Sequence, residues 1–383
     1  MRTIRGMIYT DKMCFEPGEI TITGDTIEKI ECFGDDRLTA EEAGCYIMPG
    51  LVDTHFHGCA GFDFCDGTAE AMRTIASYEM THGITTICPA TMTLAEDTLM
   101  DICKASAEAV ETETLPEGVP LRDVLKGIYL EGPFISMEKK GAQNPTYIHK
   151  PDLDMLNRLQ EAAKGLIRIV VIAPETEGAM DCIKEGRGRF RFSIAHTCAD
   201  YDTAKAAIEA GAAHVTHLYN AMPPFTHRKP GVIGAAAEDA RTEAELICDG
   251  IHIHPCVVKS TFKLFGAERM VLISDSMMAT GMEDGEYALG GQPVHVKGNL
   301  ATLADGTIAG SATNLYDCMR TAIRMGIAKE DAVRAATLNP AVAVGLENEC
   351  GSLLPGRKAD ILIADRDFTL REVIKYGKTV TGS

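Results

Sequence analysis

Two histidines separated by one residue, His55 and His57, have the spacing of a metal-binding pair. They follow a short apolar segment, Tyr46 to Val52, which predicts a buried strand interrupted at Pro49-Gly50. Because side chains alternate between the two faces of an extended chain, both imidazoles project to the same side. Neutral imidazole nitrogen is the commonest metal donor in proteins. The spacing therefore predicts that both histidines contact one ion at the end of a strand.

Further potential ligands stand at the ends of other apolar segments. Short β-branched runs recur near residues 46–52, 84–88, 127–131, 167–173, 190–195, 212–216, 245–249 and 270–274. Most of these runs end in His, Asp or Glu side chains, which are His55 and His57, Glu131, His196, His217, Asp249 with His252, and Asp275. Satisfied core histidines would not recur at strand ends in this way, so we predict that these residues share one site.

The elements that must position these side chains alternate between strand and helix. Helix-compatible stretches lie between most of the runs, at 68–80, 98–110, 151–163 and 201–209. Such alternation predicts an α/β fold with parallel strands and right-handed crossovers. Eight strands favour a closed (β/α)₈ TIM-like barrel over an open sheet, and barrels of this kind carry their chemistry at the carboxyl ends of the strands.

The two ends of the chain predict a second, smaller domain. Strand patterns cover 3–9, 19–23 and 26–30, with a turn at Glu16-Pro17-Gly18, and return at 359–364 and 373–380. Neither end is long enough for a core of its own. We therefore expect a β-sandwich of residues 1–49 and 354–383 beside a barrel of residues 50–353. The glycine-rich residues 276–310 are expected to form a loop over the barrel mouth.

Composition excludes some classes of partner. The chain has 383 residues and a formal net charge of −18, which argues against nucleic acid but allows a small phosphorylated substrate. Its apolar runs are too short for a membrane span, and its first residues lack a signal-peptide pattern. Its 13 cysteines form no C-x-x-C pair, which disfavours a disulfide scaffold. We expect a cytoplasmic protein without a nucleic-acid or membrane partner.

Histidines and carboxylates without thiolates suit a hydrolytic zinc, iron or manganese site. Such an ion lowers the pKa of a water ligand to about 7, and a nearby carboxylate can move its proton to a leaving group. Asp275, alone at the end of the last run, is the candidate for that proton transfer, and Glu131 is the candidate ligand between the histidine pairs. The residues alone predict a metal-assisted hydrolase or deaminase.

The same residues resemble a known superfamily. The H-x-H, the later histidines, the terminal Asp and the closing segment Gly351–Asp360 are similar to those of the amidohydrolases, metal-dependent hydrolases on a (β/α)₈ barrel. Four motifs more specifically resemble the N-acetylglucosamine-6-phosphate deacetylase family across essentially the whole chain: Leu130-Glu131-Gly132-Pro133-Phe134, Lys139-Lys140-Gly141-Ala142-Gln143-Asn144-Pro145, His217-Leu218-Tyr219-Asn220-Ala221-Met222 and Asp249-Gly250-Ile251-His252.

This resemblance implies hydrolysis of an acetamide, giving glucosamine 6-phosphate and acetate, with Asp275 as general base and then acid. It implies that Glu131, His196 and His217 hold the principal metal. A second ion would be held by His55, His57, Glu131 and Asp275. One or two divalent ions per subunit are expected, with zinc favoured over iron or manganese.

The resemblance also implies a substrate pocket. Its members are Ala142, Gln143, Asn220, Ala221, Arg228, His252 and the backbone of Ile308, Ala309 and Gly310. Gln143 stands where relatives often carry histidine, and its amide can donate a hydrogen bond but cannot carry a proton. Arg228 is suited to bidentate phosphate binding. In the family this arginine can come from a neighbouring subunit, which implies a homodimer.

Three alternatives remain open from the sequence. The same barrel supports a cyclic-amide hydrolase or a nucleobase deaminase, and a catalytically inactive metabolite-binding relative would share the fold.

From composition alone, Arg228 in its polar loop predicts a solvated cation. His214 lies three residues before His217, which predicts the opposite strand face and a packing role.

Overall fold

The computed structural model describes residues 1–382, so Ser383, the last residue of the predicted end domain, lies outside the described part. The strands, in chain order, are β1 Arg2–Tyr9, β2 Phe15–Thr23, β3 Thr26–Cys32, β4 Tyr46–Pro49, β5 Leu51–Asp53, β6 Gly58–Cys59, β7 Phe62–Asp63, β8 Ile84–Ile87, β9 Ala90–Thr91, β10 Ile128–Leu130, β11 Ile167–Ile172, β12 Arg191–Ile194, β13 His214–Val215, β14 Glu243–Ile247, β15 Met270–Ile273, β16 Gly285–Leu289, β17 Gln292–Lys297, β18 Leu300–Thr302, β19 Ile361–Ala364, β20 Leu370–Lys375 and β21 Lys378–Gly382.

Helices lie between the central strands, including the four stretches where the sequence predicted them, and further helices follow the last central strand. They are α1 Ala69–Thr81, α2 Glu96–Thr112, α3 Leu153–Ala162, α4 Ala179–Gly186, α5 Tyr201–Ala210, α6 Gly231–Glu238, α7 Pro255–Phe265, α8 Leu315–Arg324, α9 Lys329–Ala336 and α10 Leu338–Ala343. Side-chain caps fix several starts: Thr68 accepts from the Ala71 amide, and Asp200 accepts from the Thr203 amide.

The central strands form a parallel sheet. Its order is β9-β10-β11-β12-β13-β14-β15, and each neighbouring pair is parallel. A separate parallel ladder joins β5 to β8. Most strand residues are apolar and buried, as expected of a sheet covered on both faces. The predicted α/β architecture, with parallel strands whose carboxyl ends meet on one side, is confirmed.

Both chain ends contribute to a second sheet. Its order is β21-β20-β19-β4-β1-β2-β3. The chain leaves this sheet at Pro49 and enters the unit of parallel strands at Leu51, so the apolar segment around 46–52 supplies one strand to each. Gly50 is required at the crossing, because a Cβ there would lie 2.1 Å from Oγ1 of Thr85.

Three local predictions are wrong. Pro17 and Gly18 lie within β2 rather than in a turn, and a Cβ on Gly18 would lie 2.6 Å from the Glu31 carbonyl oxygen of β3. The segment 373–380 is a hairpin, because Tyr376 and Gly377 turn the chain with φ of 51° and 74°. Residues 276–310 contain an antiparallel sheet, β16-β17-β18, where a loop was expected.

No helix in the described residues is long and apolar enough to cross a membrane.

Candidate metal and substrate site

The functional side chains project from the carboxyl ends of the parallel strands. Glu131 follows β10 directly, and His196, His217 and Asp275 each come two residues after β12, β13 and β15. These last three residues have φ of 44°, 29° and 50°, in the left-handed region that non-glycine residues seldom occupy. The left-handed residue ends each strand and turns the side chain into a common cavity. Backbone strain of this kind concentrates at functional sites.

One group of donors joins Glu131 to the two later histidines. The Nε2 atoms of His196 and His217 each lie 3.1 Å from Oε1 of Glu131, and 3.1 Å from each other. The Nδ1–H of His196 donates to the Lys139 carbonyl oxygen at 2.8 Å. That bond leaves the Nε2 lone pair facing the other two donors.

A second group joins the same carboxylate to the H-x-H pair. Nε2 of His57 lies 3.3 Å from Oε2 of Glu131 and 3.3 Å from Oδ1 of Asp275. Nε2 of His55 lies 3.5 Å from Oε1 of Glu131 and 3.9 Å from Oδ1 of Asp275. Glu131 is therefore common to both groups. Below, the five residues His55, His57, Glu131, His196 and His217 are called the donor cluster.

The donor cluster fits a divalent metal. In each group the three ligand atoms lie within 4.8 Å of one another, and all five residues are buried. A tetrahedral ion with bonds of about 2.0 Å holds its donors about 3.3 Å apart, close to the spacings found here. Within the described residues, the buried Nε2 of His55 has no hydrogen-bond partner. A buried lone pair without a donor is costly unless a cation receives it.

Electrostatics keep the two acids of the site ionised. Burial favours the neutral form of Glu131, but its contacts with the His196 and His217 rings outweigh burial and hold the pKa of Glu131 well below its usual value. Burial also opposes ionisation of Asp275, yet the hydrogen bond with His57 lowers the pKa of Asp275. Ionised carboxylates bind cations and accept protons, as this chemistry requires.

Most of the predicted pocket residues line one cavity of about 390 Å³ beside the donor cluster. Its walls include Ala142, Gln143, Asn220, Ala221, His252, Asp275, Ile308 and Gly310. Leu289, from β16 of the inserted sheet, closes one side. Ala309 is fully buried and does not contribute to the wall. The side chain of His55 is also fully buried and does not line the cavity, whereas His57 does.

Arg228 is the predicted residue that the structure does not bring to this cavity. It is exposed and lines a separate cavity of about 570 Å³, together with Cys198 and Asp200. Within one chain, the guanidinium is therefore not part of the wall around the donor cluster.

Gln143 is committed to the protein rather than free for a ligand. Its Nε2 donates to Oε2 of Glu131 at 2.6 Å, and its Oε1 accepts from the Thr93 amide at 2.6 Å. The side chain is buried. Gln143 therefore holds the shared carboxylate in place, a contact that sequence reasoning did not predict.

His252 is held by the acid of its own motif. Oδ2 of Asp249 accepts from Nδ1 of His252 at 2.7 Å, and Oδ1 accepts from the amides of Ile251 and His252. Burial favours neutral imidazole, but the hydrogen bond to Asp249 outweighs it and raises the pKa of His252. His252 contributes to the wall of the cavity beside the donor cluster.

Sequence reasoning missed Glu245 and misplaced His214. Glu245 is fully buried in β14, where Oε2 accepts from Nδ1 of His55 at 2.9 Å and Oε1 accepts from Nε2 of His214 at 3.0 Å. His214 therefore faces the same interior as the donor cluster, rather than the opposite side. The available signal was a charged residue inside an otherwise apolar strand, Ala244-Glu245-Leu246-Ile247.

Comparison with known proteins identifies the family. Residues 46–380 match the model of the amidohydrolase family. The chain belongs to the amidohydrolase family. Among curated amidohydrolase relatives, the N-acetylglucosamine-6-phosphate deacetylase of Bacillus subtilis (strain 168) is 37% identical over 327 residues, covering 85% of this chain and 82% of the relative. The N-acetylgalactosamine-6-phosphate deacetylase of Escherichia coli O157:H7 is 33% identical over 334 residues, covering 87% of each.

Solved structures of amidohydrolases are also similar to this chain. An N-acetyl-D-glucosamine-6-phosphate deacetylase mutant from Mycobacterium smegmatis, in complex with N-acetyl-D-glucosamine-6-phosphate, superposes with a TM-score of 0.90 at 32% identity, covering 99% of both chains. The deacetylase of Thermotoga maritima gives a TM-score of 0.89 at 27% identity, covering 100% of both chains. The resemblance predicted from the four motifs is confirmed.

Proposed function

We propose that this amidohydrolase cleaves the acetamide of N-acetylglucosamine 6-phosphate, giving glucosamine 6-phosphate and acetate. One observation carries the proposal: the donor cluster and Asp275 converge beside a cavity of about 390 Å³ lined by the motifs that the deacetylase family shares. The relative at 37% identity is named for this activity, and its match covers most of both chains.

Zinc is our proposal for the metal, at two ions per chain. Glu131, His196 and His217 would hold one ion, and His55, His57, Glu131 and Asp275 the other. When bound, the metal would polarise the amide carbonyl and lower the pKa of a water. Nitrogen and carboxylate donors without thiolates suit zinc, with iron and manganese as the other metals of this chemistry.

Asp275 is the proposed general base and acid. Its Oδ1 lies 3.3 Å from Nε2 of His57 at the cavity wall, and its lowered pKa keeps it in the carboxylate form, which can accept a proton from a metal-activated water. After the water oxygen bonds to the carbonyl carbon and the C–N bond breaks, Asp275 returns the proton to the departing amine. His252, positioned by Asp249, would donate a hydrogen bond to the carbonyl oxygen.

Phosphate binding is proposed to depend on a homodimer. Asn220, Ala221 and His252 line the cavity of the chain itself, whereas Arg228 is exposed and points to a different cavity. An arginine supplied by the partner chain would complete the phosphate site with a planar bidentate donor. Ala142, Gln143 and the backbone of Ile308, Ala309 and Gly310 would surround the sugar.

We also propose that the parallel strands close into a (β/α)₈ barrel covering residues 50–353. The Asp275 amide donates to the His55 carbonyl oxygen at 3.0 Å, and the His57 amide donates to the Ser276 carbonyl oxygen at 2.7 Å. On the other side, the Cys88 amide donates to the Asp53 carbonyl oxygen at 2.8 Å. These bonds support a closed ring, because they connect the segment after the last strand and the second strand to the first.

For residues 1–49 and 354–383 we propose a β-sandwich. The Ile27 amide donates to the Arg357 carbonyl oxygen at 2.8 Å, and Arg2 pairs with Glu372 at 2.6 Å. The first contact joins β3 to the segment just before β19, and the second joins β1 to β20. Both link regions that are remote in strand order, which supports a sheet that folds over itself around an isoleucine-rich core.

The substrate proposal is tested by product analysis. Purified protein should release equal amounts of acetate and glucosamine 6-phosphate from N-acetylglucosamine 6-phosphate. Rates should be far lower with unphosphorylated N-acetylglucosamine. A strong chelator should abolish acetate release, and zinc should restore it. Ammonia release from a purine, or no acetate release by metal-replete protein, would overturn the proposal.

The dimer proposal has its own test. Arg228→Ala and Asp275→Asn should each be nearly inactive as pure dimers. In a mixed dimer, one of the two sites would combine an intact Asp275 with an intact Arg228 from the other chain. Co-refolding the two variants should therefore restore acetate release. Mixtures that stay as inactive as the separate variants would show that Arg228 acts within its own chain.

A further inference from the structure

Glu245 is a buried carboxylate that the proposed reaction does not use. It lies in the middle of β14 among apolar residues and is fully buried. Its Oε2 accepts from the His217 amide at 3.2 Å and contacts Nδ1 of His55 at 2.9 Å, and its Oε1 contacts Nε2 of His214 at 3.0 Å. Two residues of the donor cluster are therefore tied to this one carboxylate.

The contacts of Glu245 determine which nitrogen of His55 carries the proton. A backbone amide can only donate, so Oε2 of Glu245 is an acceptor, and Nδ1 of His55 donates to the same atom. The neutral His55 ring must then leave Nε2 as its lone pair. That atom has no hydrogen-bond partner in the described residues and faces Oε1 of Glu131 at 3.5 Å.

The orientation of the His55 ring is fixed as well. The ring of Tyr129 stacks on it with a centroid distance of 4.4 Å and an interplanar angle of 23°. The Tyr129 hydroxyl is itself hydrogen-bonded to Oγ1 of Thr216 at 2.6 Å. With one edge held by Glu245 and one face held by Tyr129, the His55 ring has little freedom to turn Nε2 away from Glu131.

We propose that Glu245 is a positioning residue for the second cation site, which His55, His57, Glu131 and Asp275 form, and that it decides whether this chain retains two divalent ions or one. This inference rests on the metal centre of the proposed function. The principal group of Glu131, His196 and His217 depends on Glu245 less, because Glu245 touches none of its donor side chains and contacts only the His217 amide. Partners that orient metal-binding histidines typically contribute 10–100-fold in affinity.

A glutamine at position 245 is a discriminating change. Its amide has nearly the same shape as the carboxylate, but it offers one acceptor and one donor atom. It cannot accept from His55 and His214 on separate oxygens, so one of the two rings must change tautomer or lose its bond. Glu243 provides a control within the same strand, because it lies two residues earlier in β14, pairs with Arg191 and lies 3.4 Å from Nδ1 of His214 but touches no member of the donor cluster.

Metal content is the first measurement. Wild type, Glu245→Gln and Glu243→Gln are loaded with zinc, and bound metal is counted by elemental analysis during titration with a competing chelator. We expect two ions in wild type and Glu243→Gln, and a second ion bound about 10–100-fold more weakly in Glu245→Gln with the first ion unchanged. Two equally tight ions in Glu245→Gln, or a single ion in wild type, would overturn the inference.

Nitrogen NMR of the zinc-loaded wild type removes any dependence on how the variants fold. The His55 ring signals, assigned by their loss in His55→Gln, should show a proton on Nδ1 and none on Nε2. A proton on Nε2 would overturn the inference. Acetate release is scored separately, because a chain with two ions and no hydrolysis of the sugar phosphate refutes the substrate while supporting the role of Glu245.

Discussion

At the scale of single residues, the site depends on side chains that are aimed by unusual backbone conformations. His196, His217 and Asp275 all have positive φ, at a cost of order 1–3 kcal/mol each. Gly310 also has a positive φ, of 66°. Glycine suits this position for a second reason, because a Cβ there would lie 3.0 Å from the Asp275 carbonyl oxygen. The fold accepts this strain around one cavity, where each left-handed residue turns a functional group inward.

Asp275→Asn should lower kcat by about 10²–10⁴-fold, because the amide has nearly the same shape but cannot accept a proton. Steady-state acetate release is the measurement. The metal content of the variant is determined in parallel, because Asp275 also lies 3.3 Å from Nε2 of His57. Asp154→Asn, an exposed acid in the first turn of α3, is the control and should behave as wild type. Retention of most activity by Asp275→Asn would refute its role as the base.

Asp249→Asn should lower the pKa of His252. The carboxylate raises that pKa above the ordinary 6.5 by stabilising the imidazolium. The wild-type ring therefore stays protonated to a higher pH than the ring of the variant. The protonated fractions of the two rings differ most at pH values between their two pKa values. NMR titration of the ring proton in each protein measures both values. Equal pKa values would show that Asp249 holds the loop without influencing the charge of His252.

The donor cluster could be predicted from sequence because strand ends and residue types suffice to find it. His214 could not, because the alternation argument assumes that the chain stays extended from His214 to His217. In the structure β13 ends at Val215 and His217 has a φ of 29°. The side chains therefore do not alternate regularly between the two strand faces from His214 to His217. Glu245 was missed because its partners come from other strands, and nothing local in the sequence links it to His55.

At the scale of elements, turns are also difficult to predict from local sequence, because contacts with distant strands can decide the conformation. Pro17 and Gly18 carry the composition of a turn, yet they occupy the start of β2, where pairing with β1 and β3 decides the conformation. The hairpin at Tyr376-Gly377 was missed because only one of its two left-handed positions is a glycine. Long periodic helices and apolar strands were predictable, since their own residues determine them.

Arg269 stabilises the carboxyl end of helix α6. Its guanidinium donates to the carbonyl oxygens of Ala236, Ala237, Asp239 and Thr242, at and beyond the carboxyl end of that helix. These oxygens have no partner inside a helix. Arg269→Met should therefore lower the free energy of unfolding by about 2–4 kcal/mol in urea titrations. Arg241→Met, which removes only an exposed pair with Asp239, should cost less than about 1 kcal/mol. Equal effects of the two changes would refute the anchoring role.

At the scale of the whole molecule, one buried cation joins the end sheet to the catalytic unit. Nζ of Lys375, at the end of β20, donates to the Thr85 carbonyl oxygen of β8 at 3.0 Å and pairs with Asp360 at 2.7 Å. Oδ1 of Asp360 also accepts from the Tyr376 amide at 3.1 Å. The Lys375 side chain is 1% exposed and that of Asp360 is 12% exposed, so water can replace the lost partner only in part.

Lys375→Met should therefore destabilise the protein by about 3–5 kcal/mol, because it leaves Asp360 ionised and buried without its cation. Urea unfolding, followed by a spectroscopic signal, gives this value. Adding Asp360→Asn to Lys375→Met removes the unpaired charge and should restore part of the loss, which a double-mutant cycle quantifies. Lys378→Met, an exposed change in the same hairpin, should stay within about 0.5 kcal/mol of wild type. If Lys375→Met unfolds like the Lys378 control, the Lys375 contacts do not contribute to holding the two units together.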